Sequence, residues 1–186
     1  RLVSESDRPV VVDEAYGEFA PAGSSFIPLV EDFENLIVTR TFSKAYALAG
    51  MRIGYSIANK DLTLAMQKVR VPYSLNKISE LVAIKALRDQ DFVRRTIEVV
   101  SSERKRLEDG LSALGLEVFP SQANFILFKC PMGSDVLVSR LREKNVLIRD
   151  FGNKRLLKDC ARTTIGTREQ NDILLEKMAE VVKECR

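Results

Sequence analysis

The chain of 186 residues contains no histidine, and that absence removes much familiar chemistry. Zinc sites built on imidazole and every Ser–His or Cys–His nucleophile pair are excluded within it. Acid–base work falls to lysine, tyrosine or a carboxylate. Cysteine is scarce: Cys130, Cys160 and Cys185 are odd in number, widely separated and without a C-x-x-C pair. Such a set argues against a secreted disulfide framework and fits a reducing compartment, so a cytoplasmic location is expected. No apolar run reaches membrane-spanning length, and no secretory signal pattern opens the chain. A charge excess is missing too. The 29 basic and 26 acidic residues are interspersed and sum to +3, too weak and too mixed for a nucleic-acid partner or a membrane surface. The densest basic stretch, Glu103-Arg104-Lys105-Arg106, lies inside a predicted helix and reads as a solvated face.

What remains is the composition of a globular protein, 45% hydrophobic and 30% charged. Pro9-Val10-Val11-Val12-Asp13 is a β-branched run of the kind that makes a buried parallel strand, and Glu14 to Phe26 reads as a loop. Leu36-Ile37-Val38, running on to Thr41, predicts a second strand, and Met51 to Ala58 a third. Asn59 is placed to cap a helix from Lys60 to Arg70, and helices over Lys77–Arg88 and Asp91–Leu114 follow. The longest sets Phe92, Ile97, Val100, Leu107, Leu111 and Leu114 near one stripe. Beyond Gly115 the units shorten: strands at Leu116–Phe119 and Phe125–Lys129, a helix at Ser134–Lys144, and strands at Val146–Arg149 and Ala161–Ile165. Thr167-Arg168-Glu169-Gln170 then fits a capping box opening a last helix to about Cys185. Two α/β pieces are expected, residues 1–100 and 101–186. The abrupt start at Arg1, with a strand soon after, predicts a portion of something longer.

The chemistry concentrates around Lys44 in Thr41-Phe42-Ser43-Lys44-Ala45-Tyr46-Ala47-Leu48-Ala49-Gly50-Met51-Arg52-Ile53-Gly54-Tyr55. A lysine that attacks a carbonyl needs its neutral amine, and burial beside another cation favours that form. Thr41, Ser43 and Arg52 would hold a phosphate dianion beside it. An amine next to an anion clamp is what pyridoxal phosphate requires. A solvated lysine among turn-forming hydroxyls fits the same residues. Asp13 and Tyr16 follow the first strand, and ligands in open parallel sheets sit at the carboxyl ends of strands. A carboxylate there would pair with a protonated ring nitrogen, and a phenol with a ring oxygen. A turn cap and a core aromatic are the ordinary roles. Arg149 and Arg162 would form a fork for a carboxylate or phosphate if their strands are neighbours, or else pair with Asp150 or Glu169. Asn124 is a turn residue or a donor to substrate.

Taken together, Val11-Val12-Asp13-Glu14-Ala15-Tyr16 and the Lys44 segment resemble the fold-type I aminotransferases that use pyridoxal phosphate. With Ser121-Gln122-Ala123-Asn124-Phe125, Val146-Leu147-Ile148-Arg149-Asp150 and Arg162-Thr163-Thr164-Ile165-Gly166-Thr167-Arg168-Glu169, the chain is most similar to the histidinol-phosphate aminotransferase group. The resemblance implies an incomplete large domain, a three-layer αβα arrangement on a mainly parallel sheet, followed by a small α+β C-terminal domain. It implies Lys44 as the lysine that carries the cofactor and moves the proton. Asp13 would hold the pyridinium, Tyr16 the phenolic oxygen, and Thr41, Ser43 and Arg52 the phosphate. Arg162, assisted by Arg149 and with Asn124 nearby, would bind the substrate. The implied reaction exchanges an amino group between histidinol phosphate and 2-oxoglutarate, in a homodimer without nucleic acid or membrane.

Members of that family also carry an N-terminal portion whose substrate-closing arm, glycine-containing turn, stacking aromatic and asparagine have no counterpart in this chain. The 186 residues alone are therefore expected to be inactive. A decarboxylase of a phosphorylated amino acid, and a non-catalytic module on the same scaffold, are the alternatives.

Overall fold

The structure, a computed structural model, describes residues 2–185. Its contacts divide it into two compact units, with the division along the chain between Thr96 and Ile97.

The first unit opens with a short helix, α1 (Leu2–Glu5), and is built on three strands, β1 (Val10–Asp13), β2 (Leu36–Thr41) and β3 (Gly54–Ala58). The order is β1-β2-β3, with β1 parallel and β3 antiparallel to β2. The parallel pairing holds as expected, but β1 lies at the edge and Val11 is 60% exposed rather than buried. The apolar run of β2 takes the centre instead. Leu36, Ile37 and Val38 are buried, and Val30, Leu36 and Val38 form a core joined by Val3, Val12, Ile27, Phe33 and Ile57. The third strand starts later than its apolar pattern predicts. Ala49–Met51 is a 3-10 turn and Arg52 adopts a left-handed conformation, so pairing begins at Gly54. A Cβ at Gly54 would stand 2.7 Å from the Arg40 carbonyl oxygen, which explains the glycine there.

Helix α2 (Lys60–Val69) is capped by Asn59, whose side-chain oxygen accepts from the Leu62 N–H at 2.9 Å. Asn76 caps α3 (Lys77–Arg88) in the same way through the Ser79 N–H. Helix α4 (Gln90–Ala113) continues from the first unit into the second. Its buried line is Val93, Val100, Leu107 and Leu111, and Phe92 lies outside it, 39% exposed. Neighbouring helical residues point about 100° apart, so the seven-residue steps from Val93 keep a line that Phe92 cannot share.

The second unit is an antiparallel sheet, β4-β5-β7-β6, with helices α5 (Ser134–Glu143) and α6 (Arg168–Glu184). Its strands are β4 (Glu117–Val118), β5 (Phe125–Lys129), β6 (Arg149–Asp150) and β7 (Cys160–Thr164). The predicted strand at Val146–Arg149 is displaced, because Arg149 opens β6 instead of closing it. Asn145, left-handed at φ 61°, ends α5, and the Val146 N–H returns to the Leu141 carbonyl at 2.9 Å. That helix-end closure keeps the following residues off the ladder. The capping box on α6 is present on both sides, Thr167 accepting from Gln170 and Gln170 from Thr167. Leu137, Leu141, Met178 and Val181 are fully buried on α5 and α6.

The stretch 103–106 is not the solvated face expected of it. Glu103 is buried, and only Lys105 of the four is exposed. Arg106 binds Glu103 through Nη2 at 2.6 Å and Asp172 through Nη1 at 2.5 Å. The buried Asn171 donates to Glu103 at 2.7 Å and brackets Gly166, accepting from its N–H and donating to its carbonyl, both at 3.0 Å. Two turns of sequence therefore tie α4 to the exit of β7.

Candidate active site

Six of the nine residues singled out from sequence belong to the first unit, and all lie at or just beyond the carboxyl ends of β1 and β2 or on the turn leading to β3. Thr41 ends β2, and its hydroxyl accepts from the Ser43 N–H at 3.1 Å. The chain then closes a compact loop. The Ala47 N–H reaches the Lys44 carbonyl at 3.0 Å, the Leu48 N–H the Phe42 carbonyl at 2.9 Å, and the Phe42 N–H the Ile53 carbonyl at 3.2 Å. Ala47 and Arg52 bracket it in left-handed conformations, φ 56° and 53°. Each costs a non-glycine residue roughly 1–2 kcal/mol, a strain kept only where surroundings over-determine it. Buried Phe42, Ala45 and Tyr46 do so here, with the Phe42 ring 4.9 Å from Tyr46 and 5.5 Å from Tyr55.

Lys44 carries its ammonium over the Tyr16 ring, 5.2 Å from the centroid, and forms no ion pair among the described residues. A cation over an aromatic face gains modestly while keeping its donors open to a ligand. Arg52 likewise has no carboxylate partner there; its Nη1 donates to the Ala49 carbonyl at 3.0 Å. Asp13 is in register with Thr39, and one carboxylate oxygen accepts from the Ala15 N–H at 3.0 Å and the Thr39 hydroxyl at 3.4 Å. Sequence suggested a buried carboxylate; Asp13 is exposed, because it stands on the edge strand.

Sequence reasoning missed the group beneath these residues. Arg40, one position before Thr41, is gripped by Glu14 through Nε at 2.9 Å and Nη2 at 2.6 Å, and by Glu18 through Nη1 at 3.0 Å. Glu14 also accepts from the Phe26 N–H at 2.6 Å and the Ser25 hydroxyl at 2.9 Å. Burial alone would raise the Glu14 carboxyl, but the Phe26 N–H, Arg40 and Ser25 outweigh it and hold it below its ordinary value. Burial works against the Arg40 charge as well, and Glu14 and Glu18 more than offset it. The signal that was available is the pair of acidic residues flanking Tyr16, an unusual place for two carboxylates beside an apolar strand.

In the second unit, Arg149 and Arg162 are register partners across β6 and β7. Both face the Phe151 ring, at 5.9 and 5.4 Å, and Arg162 also stands 4.8 Å from the Phe125 ring centroid. Neither forms an ion pair among the described residues, so the pairing with Asp150 or Glu169 is not made. Asp150 instead accepts from the Gly152 N–H at 2.8 Å and the Ser134 hydroxyl at 2.7 Å, which hold its carboxyl below the usual range. Two guanidinium groups supported by aromatic rings and left without carboxylates suit a planar anion. They line a pocket of about 430 Å³ with Gly166, Gln170 and Leu174. Asn124 lies in the turn before β5, where Ser121 bonds the Phe125 carbonyl and the Asn124 carbonyl accepts from Ile165.

The family model for aminotransferase class I and II matches residues 1–178. The chain belongs to that family. The chain is 44% identical over 170 residues to the histidinol-phosphate aminotransferase of Ruminiclostridium cellulolyticum, covering 91% of itself and 47% of that protein. The structure of histidinol-phosphate aminotransferase from Clostridium acetobutylicum superimposes with a TM-score of 0.92 at 28% identity, covering 98% of this chain and 57% of the other. That of the Sinorhizobium meliloti enzyme in complex with pyridoxal-5'-phosphate gives 0.85 at 32% identity, covering 96% and 50%. The chain thus spans about half the length of the curated relatives it matches. Among the described residues, no helix is long and apolar enough to cross a membrane, and no acidic or cysteine cluster suits a metal.

Proposed function

We propose that this chain is the lysine-bearing part of a pyridoxal-phosphate-dependent aminotransferase that exchanges an amino group between histidinol phosphate and 2-oxoglutarate. The observation that carries the reading is Lys44, an amine over the Tyr16 ring with no carboxylate among the described residues to neutralise it, on the turn that follows Thr41 and Ser43. The donor set fits the cofactor. Two hydroxyls and the Arg52 guanidinium suit a phosphate dianion, and Asp13 keeps an exposed carboxylate at the end of the neighbouring parallel strand. When bound, pyridoxal phosphate supplies a ring that accepts the electrons left by a departing α-proton.

The chain's own residues do the rest. Lys44 would hold the cofactor through its amine and, once displaced by substrate, would take the proton from the substrate α-carbon on that same nitrogen. Asp13 would keep a proton on the ring nitrogen, and Tyr16 would donate to the ring oxygen. Thr41, Ser43 and Arg52 would hold the phosphate. Arg162, assisted by Arg149, would orient the substrate's anionic end, and its planar fork accepts carboxylate and phosphate alike. Asn124 would donate beside it. A homodimer belongs to the same reading, and a cytoplasmic location fits the three free cysteines.

The test is product analysis of the full-length protein with histidinol phosphate and 2-oxoglutarate. Glutamate formed in step with loss of histidinol phosphate is expected. Carbon dioxide released from a phosphorylated amino acid without glutamate would replace the reading with a decarboxylase.

A further inference from the structure

Three anchors on the segment from Glu14 to Phe26 converge on the Arg40 side chain of β2, and a fourth closes onto one of them. Glu14 and Glu18 bind the Arg40 guanidinium, Ser25 accepts from its Nη2 at 3.1 Å and donates to Glu14, and the Phe26 N–H closes onto Glu14. Tyr16 lies between the first two anchors, two residues from each. Arg40 in turn lies four residues before Lys44 and is held from its other side, since Tyr55 pairs with it and Gly54 sits against its carbonyl. Gly17 marks how close the approach is: a Cβ there would stand 3.1 Å from the Arg40 Cζ and 3.2 Å from Nη2. The side chains of Arg40, Glu14 and Glu18 are only 13%, 8% and 8% exposed. One Glu18 oxygen is buried without a hydrogen-bond partner.

A fully paired structural bridge would not need two carboxylates on one guanidinium. The second carboxylate leaves the group with net negative charge and a bare buried oxygen, both unfavourable for stability. What it adds is geometry. The Arg40 fork fixes the turn on both sides of Tyr16 at once, while its backbone leads directly into Thr41 and Lys44.

We propose that Arg40, held by Glu14 and Glu18, is a positioning residue that locks the Tyr16 turn to the Lys44 turn. The inference rests on the proposed function for the consequence it has at Lys44, but its structural content is separable. Arg40→Lys retains the charge and loses the fork, so it avoids stranding two buried carboxylates. Glu18→Gln keeps an acceptor for Nη1 and serves as the milder second variant.

Two measurements on the full-length protein decide it. Hydrogen exchange without cofactor should show Arg40→Lys accelerating amides 14–27 and also those of Phe42, Ala47 and Leu48, by at least tenfold in both segments. Faster exchange confined to 14–27 would overturn the coupling. Incubation with pyridoxal phosphate, borohydride reduction and peptide mapping should show at least tenfold weaker capture at Lys44 in Arg40→Lys, with a smaller loss in Glu18→Gln. Capture equal to the parent in both variants would overturn the role at Lys44. If the parent itself captures nothing at Lys44, the proposed function fails, and the exchange result still judges the coupling.

Discussion

The role proposed for Lys44 rests on its surroundings, because a lysine with an acidic partner would be an ordinary surface charge. Lys44→Ala in the full-length protein should abolish borohydride-stable capture of pyridoxal phosphate at this turn, read by peptide mapping; undiminished capture in the 41–52 peptide would exclude the residue. Arg162→Lys keeps the charge but loses the planar fork, so the KM for the anionic substrate should rise at least tenfold while kcat falls less. Steady-state kinetics in which kcat alone falls would move Arg162 out of the binding role. Glu14 makes a pH prediction. Its carboxyl is held below its ordinary 4.5 in the folded chain, so the group stabilises the fold above that value and stops doing so as pH falls through its folded value. Glu14→Gln should therefore lower Tm at neutral pH, with the gap to the parent narrowing below pH of about 4.5. A constant gap across that range would contradict the linkage.

Helix ends are the most local part of this fold, and they followed the sequence closely. The Asn59 cap and the Thr167–Gln170 box need only residues three apart, so their patterns are complete in the sequence. The exit of β7 is different, since Asn171 there bridges Gly166 and Glu103 across sixty-eight positions. The two kinds of contact should separate in denaturant melts. Thr167→Ala is expected to cost about 1 kcal/mol, as an exposed cap does. Asn171→Leu leaves Gly166 and Glu103 short of partners in a buried place and should cost about 3 kcal/mol or more. Equal losses would mean that Asn171 contributes only its own helix propensity. The displaced β6 has the same origin. The apolar Val146-Leu147-Ile148 run favours a strand, but the closure at Asn145 decides where pairing starts.

At the scale of the molecule, some of the apolar residues left in solvent fall on two elements of the first unit. Ile78, Leu81, Ile84 and Leu87 lie along α3, and Val11 faces out from the edge strand β1. An unpaired edge strand with an apolar residue on it invites association with another chain. The 186-residue chain by itself should accordingly self-associate in sedimentation velocity, and it should show no turnover with histidinol phosphate and 2-oxoglutarate. A monomeric chain that transaminates would sink both expectations. Exposed Asp13 points the same way, since in the role proposed for it a carboxylate open to water would hold a ring proton less firmly than one shielded from it.

The sequence by itself determined the strand and helix order, which rests on local periodicity and short spacings, and it carried the motifs in which the family resemblance lies. It carried Lys44, Asp13, Tyr16 and the hydroxyl pair in one readable order along the chain. Only the tertiary structure decided that Arg40 binds Glu14 and Glu18, that Arg149 stands opposite Arg162 with no acidic partner among the described residues, and that Val11 and Asp13 lie at an edge. Ion pairing and burial depend on which distant segments meet. A charged residue looks the same in sequence whether it ends up solvated, as Lys105 is, or buried in a network, as Glu103 and Arg40 are.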